Sequence, residues 1–362
     1  MKPSTTIAFE RLHNLHLFGN PAGSPENAVQ SLVAIQAQDF SATKWGLGVR
    51  SGTTDLEVES AFCDGRILRT HVLRPTWHFV VPDDIRWLLA LSAPRVLAAS
   101  ALQFRKLELD ATVFDKSIKV FRKALRGGRQ LTREGLRALL EKAGVVTHGE
   151  LRLSHILMQA ELHAVICSGA RDGKHFTYAL LDDRAPDARA LDANDGLVEL
   201  AARFFVSRGP ASIQDFAKWS WLTLTACRQG LEGCKSRLEE RKIDGVSYWS
   251  TPGINASEPV QPVAHLLSIY DEYVSSYKDR GAIGRAVDGP KLVAMGNALT
   301  GIVLVNGQIV GSWKRTQKKS EVAVDVKLLR KLSKTERAAV VVTAEQYAAF
   351  NNKKLQLKII NS

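Results

Sequence analysis

Cysteine is scarce in this chain, with four in 362 residues: Cys63, Cys167, Cys227 and Cys234. They are scattered and form no Cys-x-x-Cys pair, so neither a zinc site nor a disulfide framework is expected. Reduced, partly buried thiols in a cytoplasmic protein are the simpler expectation. No run of about 18 apolar residues stands out, so no membrane-spanning helix is expected. The start, Met1-Lys2-Pro3-Ser4, lacks the apolar core of a secretion signal. Acidic residues are outnumbered, 37 against 49 Lys and Arg, for a net charge of +12. Such a surplus speaks about partners and not about fold. With membrane set aside, nucleic acid becomes the expected partner. A hydrophobic content of 45% is ample for packed cores, and the length suggests two or three domains.

The local signals repeat a layout. Pro25-Glu26 opens a helix running toward Gln36, Ala42 to Val49 reads as a second, and Thr54-Asp55-Leu56-Glu57 has capping-box spacing for a third. Arg69 to Val81 then reads as two strands around a Pro turn. Asp83-Asp84 opens a further helix. The pattern returns with helices over Phe114–Leu125, Arg133–Ala143 (capped by Thr132) and Leu151–Ser168, and a strand at Phe176–Leu181. It returns again with Leu197–Val206, Ile213–Trp219 and Leu224–Leu231, and strands within Arg241–Ser250. The reading is α+β: three tandem winged-helix (helix-turn-helix) units at 1–110, 111–190 and 191–260, a repeat of structure and not of letters. From 261 to 362 a basic, β-rich C-terminal domain is expected. Its clearest signal is the hairpin over Leu299–Trp313 around Asn306-Gly307. Further strands are expected at Val322–Val326 and Gln356–Ile360, with one helix near Thr335 or over Glu345–Phe350.

Two carboxamides, Gln36 and Gln38, sit in Ile35-Gln36-Ala37-Gln38-Asp39-Phe40. They cannot share a helical face, but both can reach one ligand where a helix ends. About forty residues on comes Arg74-Pro75-Thr76-Trp77-His78. The order continues with Gln159-Ala160-Glu161-Leu162, Arg208-Gly209-Pro210-Ala211-Ser212 and Asp215-Phe216-Ala217-Lys218-Trp219-Ser220. It ends with Tyr270-Asp271-Glu272-Tyr273, Tyr277-Lys278-Asp279-Arg280 and Gly311-Ser312-Trp313-Lys314-Arg315. Each motif is weak alone. Taken in order over most of the chain, the set resembles the AlkZ/AlkX (YcaQ-like) family of tandem winged-helix DNA glycosylases. The resemblance implies removal of alkylated bases, and in some members unhooking of interstrand crosslinks. Some members carry an acid at the second glutamine position; the Gln38 kept here points to the AlkZ-type branch.

The chemistry fits neutral side chains. A carboxamide hydrogen-bonds without ionising. A purine alkylated at N7 or N3 already carries positive charge and departs without an acid catalyst. What remains is to place water near C1′ and steady the oxocarbenium-like sugar, which orientation and preorganised dipoles supply. Gln36 and Gln38 are expected to hold the water. Asp39 is a candidate base or sugar stabiliser, with a helix cap as its plain structural role. His78, between Trp77 and Phe79, reads more readily as a hydrogen-bonded structural histidine than as catalytic support. A lyase needs a desolvated amine. No lysine lies in an apolar run beside the pair, and Lys44, the nearest, falls in a helix. A monofunctional enzyme without cofactor or metal is therefore expected.

Charge concentrates at the C-terminus. From Gly311 onward twelve basic residues face four acidic ones. Lys314, Arg315, Lys318 and Lys319 form a run suited to phosphates, although charge on a strand edge also blocks aggregation. Arg74 on its hairpin is a candidate minor-groove contact and Arg280 a candidate cleft residue. Tyr270, Tyr273 and Tyr277, spaced i, i+3, i+7, read as one helical face packed on a neighbouring domain. The expected partner is double-stranded DNA, met by a monomer. The competing readings are a winged-helix regulator without enzymatic activity and a hydrolase of another glycosidic bond. The weakly basic character of Leu151–Ser168 disfavours the first, and the basic C-terminus the second.

Overall fold

The computed structural model describes residues 3–149, 151–253, 259–284, 290 and 300–361. Leu299, where the expected hairpin begins, and Met1-Lys2 lie outside them.

Capping chemistry sets most boundaries. After α1 (Pro3–Asn14), Ser24 Oγ accepts from Asn27 N and opens α2 (Pro25–Leu32) with Pro25 in the first turn. α2 does not run to Gln36. Val33 takes φ +65°, the chain extends, and Ile35–Gln36 become a short strand, β1. Asp39 caps α3 (Phe40–Ser51), which ends at Gly52 with φ +73°. Thr54 and Glu57 form the capping box of α4 (Asp55–Cys63). β2 (Leu68–His71) and β3 (Trp77–Val80) complete a three-stranded sheet in the order β1-β3-β2, with Gln36 opposite His78.

A long helix, α5 (Ile85–Lys106), leads to a second group. It comprises α6 (Ala111–Leu125), β4 (Leu131–Thr132), α7 (Arg133–Lys142), α8 (Arg152–Leu162), β5 (Ile166–Asp172) and β6 (His175–Leu180), with sheet order β4-β6-β5. α8 stops six residues before Ser168, where the sequence had it end. Ala164 is left-handed at φ +55°, and Ile166-Cys167-Ser168 pair with β6. After a short α9 (Leu181–Arg184) the third group has α10 (Ala193–Arg208), α11 (Ile213–Ser220), α12 (Leu224–Cys234), β7 (Glu239–Ile243) and β8 (Val246–Ser250). A single bridge, Ala211 to Trp249, stands where the other groups have their first strand. All three groups thus share one element order and one strand order.

The C-terminal part holds β9 (Ala264–Leu267), a one-turn α13 (Glu272–Ser275), β10 (Gly301–Val305), β11 (Gln308–Gln317), β12 (Glu321–Leu328), α14 (Lys334–Phe350) and β13 (Lys354–Asn361). Its sheet runs β13-β12-β11-β10-β9. β12 and β13 are parallel, and α14 is the crossover such a pair requires. This one helix covers both places where the sequence suggested one. Asn306 and Gly307 both have positive φ, +49° and +72°, as a type I′ hairpin needs. Tyr273 and Tyr277 are buried as expected, but α13 is too short to form a three-tyrosine face, and Tyr270 stands before it at φ +61°.

One core joins the first group, the third group and the C-terminal sheet, while a second core lies inside the middle group. α5 serves both: Ile85, Trp87, Leu88 and Leu89 enter the first, and Ala93, Val96 and Phe104 the second. Pro82–Lys106, with an 18-residue mean hydropathy of 1.3 and 39% of that window buried, meets the length and composition of a membrane span. The expectation that no such stretch exists is corrected to that extent.

Candidate active site

The chain entering the site is fixed through its backbone. Arg208, fully buried at the end of α10, donates to Leu32 O (2.9 Å), Ala34 O (3.0 Å) and Glu272 Oε2 (2.9 Å). Glu272 is buried at the start of α13. Its Oε1 accepts from Gln36 N at 3.0 Å, and its Oε2 also takes Trp219 Nε1 and Ser276 Oγ. Burial raises the Glu272 pKa, but Arg208, Arg74 and the Gln36 N–H outweigh it and hold the group down to about 2. From the other side Arg69 Nε donates to Ala37 O at 3.0 Å. Its guanidinium lies over the rings of Trp77 (4.3 Å) and Phe176 (4.9 Å). Burial draws its pKa down to about 10. Ala37 N bonds Trp77 O, and Thr43 Oγ1 bonds Gln36 O. A buried network satisfied in this way rigidifies what it holds.

Gln36 therefore ends strand β1, well past the end of α2, and Gln38 lies in the bend just before Asp39, the cap of α3. Gln36 is half-buried and Gln38 exposed. Gln36 Oε1 accepts from Arg74 Nη2 at 3.4 Å, and Gln38 Oε1 from Trp77 N at 3.3 Å. Arg74, expected on DNA, turns its guanidinium inward to Gln36 and to His78 Nε2 (3.2 Å). His78 is fully buried. Its Nδ1 faces Thr76 O at 2.9 Å, so Nδ1 carries the proton and Nε2 accepts from Arg74. Burial, with Arg74 beside it, lowers its pKa to about 3 and keeps the ring neutral. Asp39 Oδ1 accepts from Ala42 N at 2.9 Å, the cap of α3, and Arg315 Nη2 lies 3.7 Å from the same oxygen.

Two clefts flank the segment. One, of about 350 Å³, is lined by Asp39, Ala42, Ser268, Trp313, Lys314 and Arg315. The other, of about 280 Å³, is lined by Arg69, Trp77, Arg133, Lys174 and Tyr178 among others. A larger cavity of about 930 Å³, between α1, α2 and α10, contains none of the expected site residues. Lys318 and Lys319 are exposed beyond Arg315 at the β11–β12 turn, and Arg280 is exposed after α13. Lys44 Nζ is bonded to Asp55 and Glu59. Sequence reasoning passed over Lys218. Burial, then Arg280 and Arg74, pull its amine down to about 8, and Nζ donates to Tyr277 O at 2.6 Å. Arg208 and Glu272 stand inside sequence motifs that assigned them no role. The available signal was a charge closing the apolar helix end Phe204-Phe205-Val206-Ser207-Arg208 and an acid between tyrosines. Among the described residues, no group of three His, Cys, Asp or Glu side chains is arranged to hold a metal.

Gln36 at the end of β1 and Gln38 in the bend after it thus stand on a backbone fixed by buried charges. The model of the AlkZ-like DNA glycosylases matches residues 29–350, and the chain belongs to that family. It is accordingly an enzyme, a DNA glycosylase acting in DNA repair. Among solved structures it is similar to the Streptomyces sahachiroi DNA glycosylase AlkZ, with a TM-score of 0.74 and 19% identity over 98% of this chain and 99% of that one. No curated protein matches it in sequence.

Proposed function

We propose that the chain is a monofunctional glycosylase that hydrolyses the N-glycosidic bond of cationic N7- or N3-alkylated purines in double-stranded DNA, acting as a monomer. The three groups that share one strand order are read as winged-helix units, at 1–110, 111–190 and 191–260, on which the basic 261–362 domain closes. Gln36 and Gln38 are the catalytic pair. The carrying observation is their placement: two uncharged amides, two positions apart, on a segment whose backbone is held by Arg208, Glu272 and Arg69. Neutral groups suffice only where the leaving base is already charged, and that selects the lesion class. Lys314, Arg315, Lys318, Lys319 and Arg280 supply phosphate contacts around the pair. Gln38 lies at the surface, so a bulky or crosslinked base can be met without full extrusion.

Of the amines near the site, Lys44 is tied to two carboxylates, which supports a hydrolase without lyase chemistry, while Lys218, drawn down by burial and donating to Tyr277 O, is the amine that the alkali-free arm of the test below checks. The test compares duplexes holding one N7-methylguanine or one neutral lesion, 8-oxoguanine. Release of N7-methylguanine only, with strand breaks appearing only after alkali, is the expected result. Equal release of both, or breaks without alkali, contradicts the proposal.

A further inference from the structure

The two glutamines are held by different parts of the molecule. Gln36 hangs on the C-terminal part, where Glu272 takes its N–H and is itself held by Arg208. Ala37 and Gln38 are held instead by a clamp of two residues, Trp77 and Arg69. Trp77 O accepts from Ala37 N at 2.7 Å, and Trp77 N donates to Gln38 Oε1 at 3.3 Å. Arg69 donates to Ala37 O at 3.0 Å through Nε and to Gln38 O at 3.5 Å through Nη2. The clamping residues stack on each other, with the guanidinium carbon 4.3 Å from the centre of the indole.

Behind the clamp stands Glu161, near the end of α8 in the middle group, with its side chain 1% exposed. It belongs to the Gln159-Ala160-Glu161-Leu162 motif, to which the excision chemistry assigns nothing. Its Oε2 takes the Nδ1–H of His71, and its Oε1 faces Trp77 Nε1 at 3.5 Å. His71 also packs on the indole, with ring centres 4.5 Å apart. Burial lowers the pKa of Arg69, and Glu161 is the foremost charge opposing that. One buried carboxylate therefore supports both halves of the clamp, Trp77 by contact and through His71, Arg69 by its charge. A buried polar network satisfied in this way holds its members in one arrangement, because another would leave the charge unpaired.

We propose that Glu161 is a positioning residue for Gln38: through Trp77 and Arg69 it sets where the Gln38 amide stands relative to Gln36, so that the docking of the middle group fixes the spacing of the amide couple. The inference rests on the glycosylase reading above and adds a residue to it. Buried as it is, Glu161 lies out of reach of DNA and acts on the geometry of a group that meets it. A misplacement of about 1 Å can cost about 100-fold in rate. Gln36, held separately by Glu272, does not follow Gln38 when the clamp loosens.

Glu161→Gln keeps the shape of the side chain and removes its charge. Under single turnover at saturating enzyme, its release of N7-methylguanine is expected to fall about 10-fold or more, while its affinity for a duplex carrying an uncleavable lesion analogue stays unchanged. The control is Arg184 on α9, which joins that helix to the end of α4 through Phe62 O and Cys63 O without touching the clamp. Arg184→Lys is expected to release base at close to the wild-type rate. Glu161→Asp, which draws the charge back from Trp77 and Arg69 by one methylene, is expected to be slowed in the same way and carries the test if Glu161→Gln does not fold. A Glu161→Gln rate close to wild type, a loss of rate matched by a loss of duplex affinity, an Arg184→Lys enzyme slowed as much, or failure of both Glu161 variants to fold overturns the inference and leaves the glycosylase reading standing. A wild-type protein that releases no base overturns both.

Discussion

Arg208 and Glu272 show how much a single buried pair can carry. Together they hold the carbonyls of Leu32 and Ala34 and the amide of Gln36, the backbone that carries the proposed catalytic side chains. Glu272→Ala leaves a buried guanidinium unpaired and is expected to destabilise the fold by about 3–5 kcal/mol, read by denaturant unfolding. Glu272→Gln keeps an acceptor for Gln36 N, so it should retain more structure than Glu272→Ala. The buried His78 gives a pH signature. Its pKa is about 3 in the fold and 6.5 in the unfolded chain. The proton therefore favours the unfolded state, and the stability from a neutral His78 is complete above pH 6.5 and lost as pH falls toward 3. Glu272, at about 2 against 4.5, contributes its share above pH 4.5 and loses it below. Between pH 6.5 and 4.5 His78→Gln is expected to flatten the decline by up to ~1.4 kcal/mol per unit. His16 and His265, lowered the same way by burial, retain their own part. A slope unchanged by the substitution contradicts the buried neutral ring.

Among elements, the contact of α3 with α14 is the tightest test of packing. A Cβ on Gly48 would stand 2.3 Å from the Phe350 ring and 3.1 Å from Thr53 O. Alanine normally favours a helix over glycine by about 1 kcal/mol. Here overpacking should reverse the sign, and Gly48→Ala is expected to destabilise by about 1–3 kcal/mol. A gain in Tm shows that the two helices are not so close. Element starts were legible because capping is local: Thr54 and Thr132 each cap where the sequence placed them. The ends of α2 and α8 were not. Val33 and Ala164 adopt left-handed backbone that nothing in their own side chains requires, and the strands that follow are set by pairing with β3 and β6. Tertiary pairing overrode a continuous apolar pattern in both places.

Across the whole molecule, charge and topology were legible and the site's support was not. The basic excess after Gly311 is written in the letters, as is the repeated order of helices and strands. The partners of the glutamines are not, because Gln36 meets Glu272 across 236 residues and Gln38 meets Trp77 across 39. Nothing local announces such pairings. Exposed Lys314 lines the Asp39 cleft, exposed Lys318 and Lys319 follow it on the β11–β12 turn, and all three are proposed to face DNA. Replacing all three with alanine should weaken duplex binding and reduce the slope of log K against log salt by about 0.9 for each phosphate no longer neutralised, read from a salt titration. An unchanged slope places the DNA elsewhere. The claim that everything else supports is that the amide couple performs the excision. Its most direct measurement is single-turnover release of N7-methylguanine at saturating enzyme by the wild type and by Gln36→Ala/Gln38→Ala. Release by the wild type, with the double variant binding the duplex equally well yet releasing base at the spontaneous rate, is the outcome required; equal release by both contradicts it.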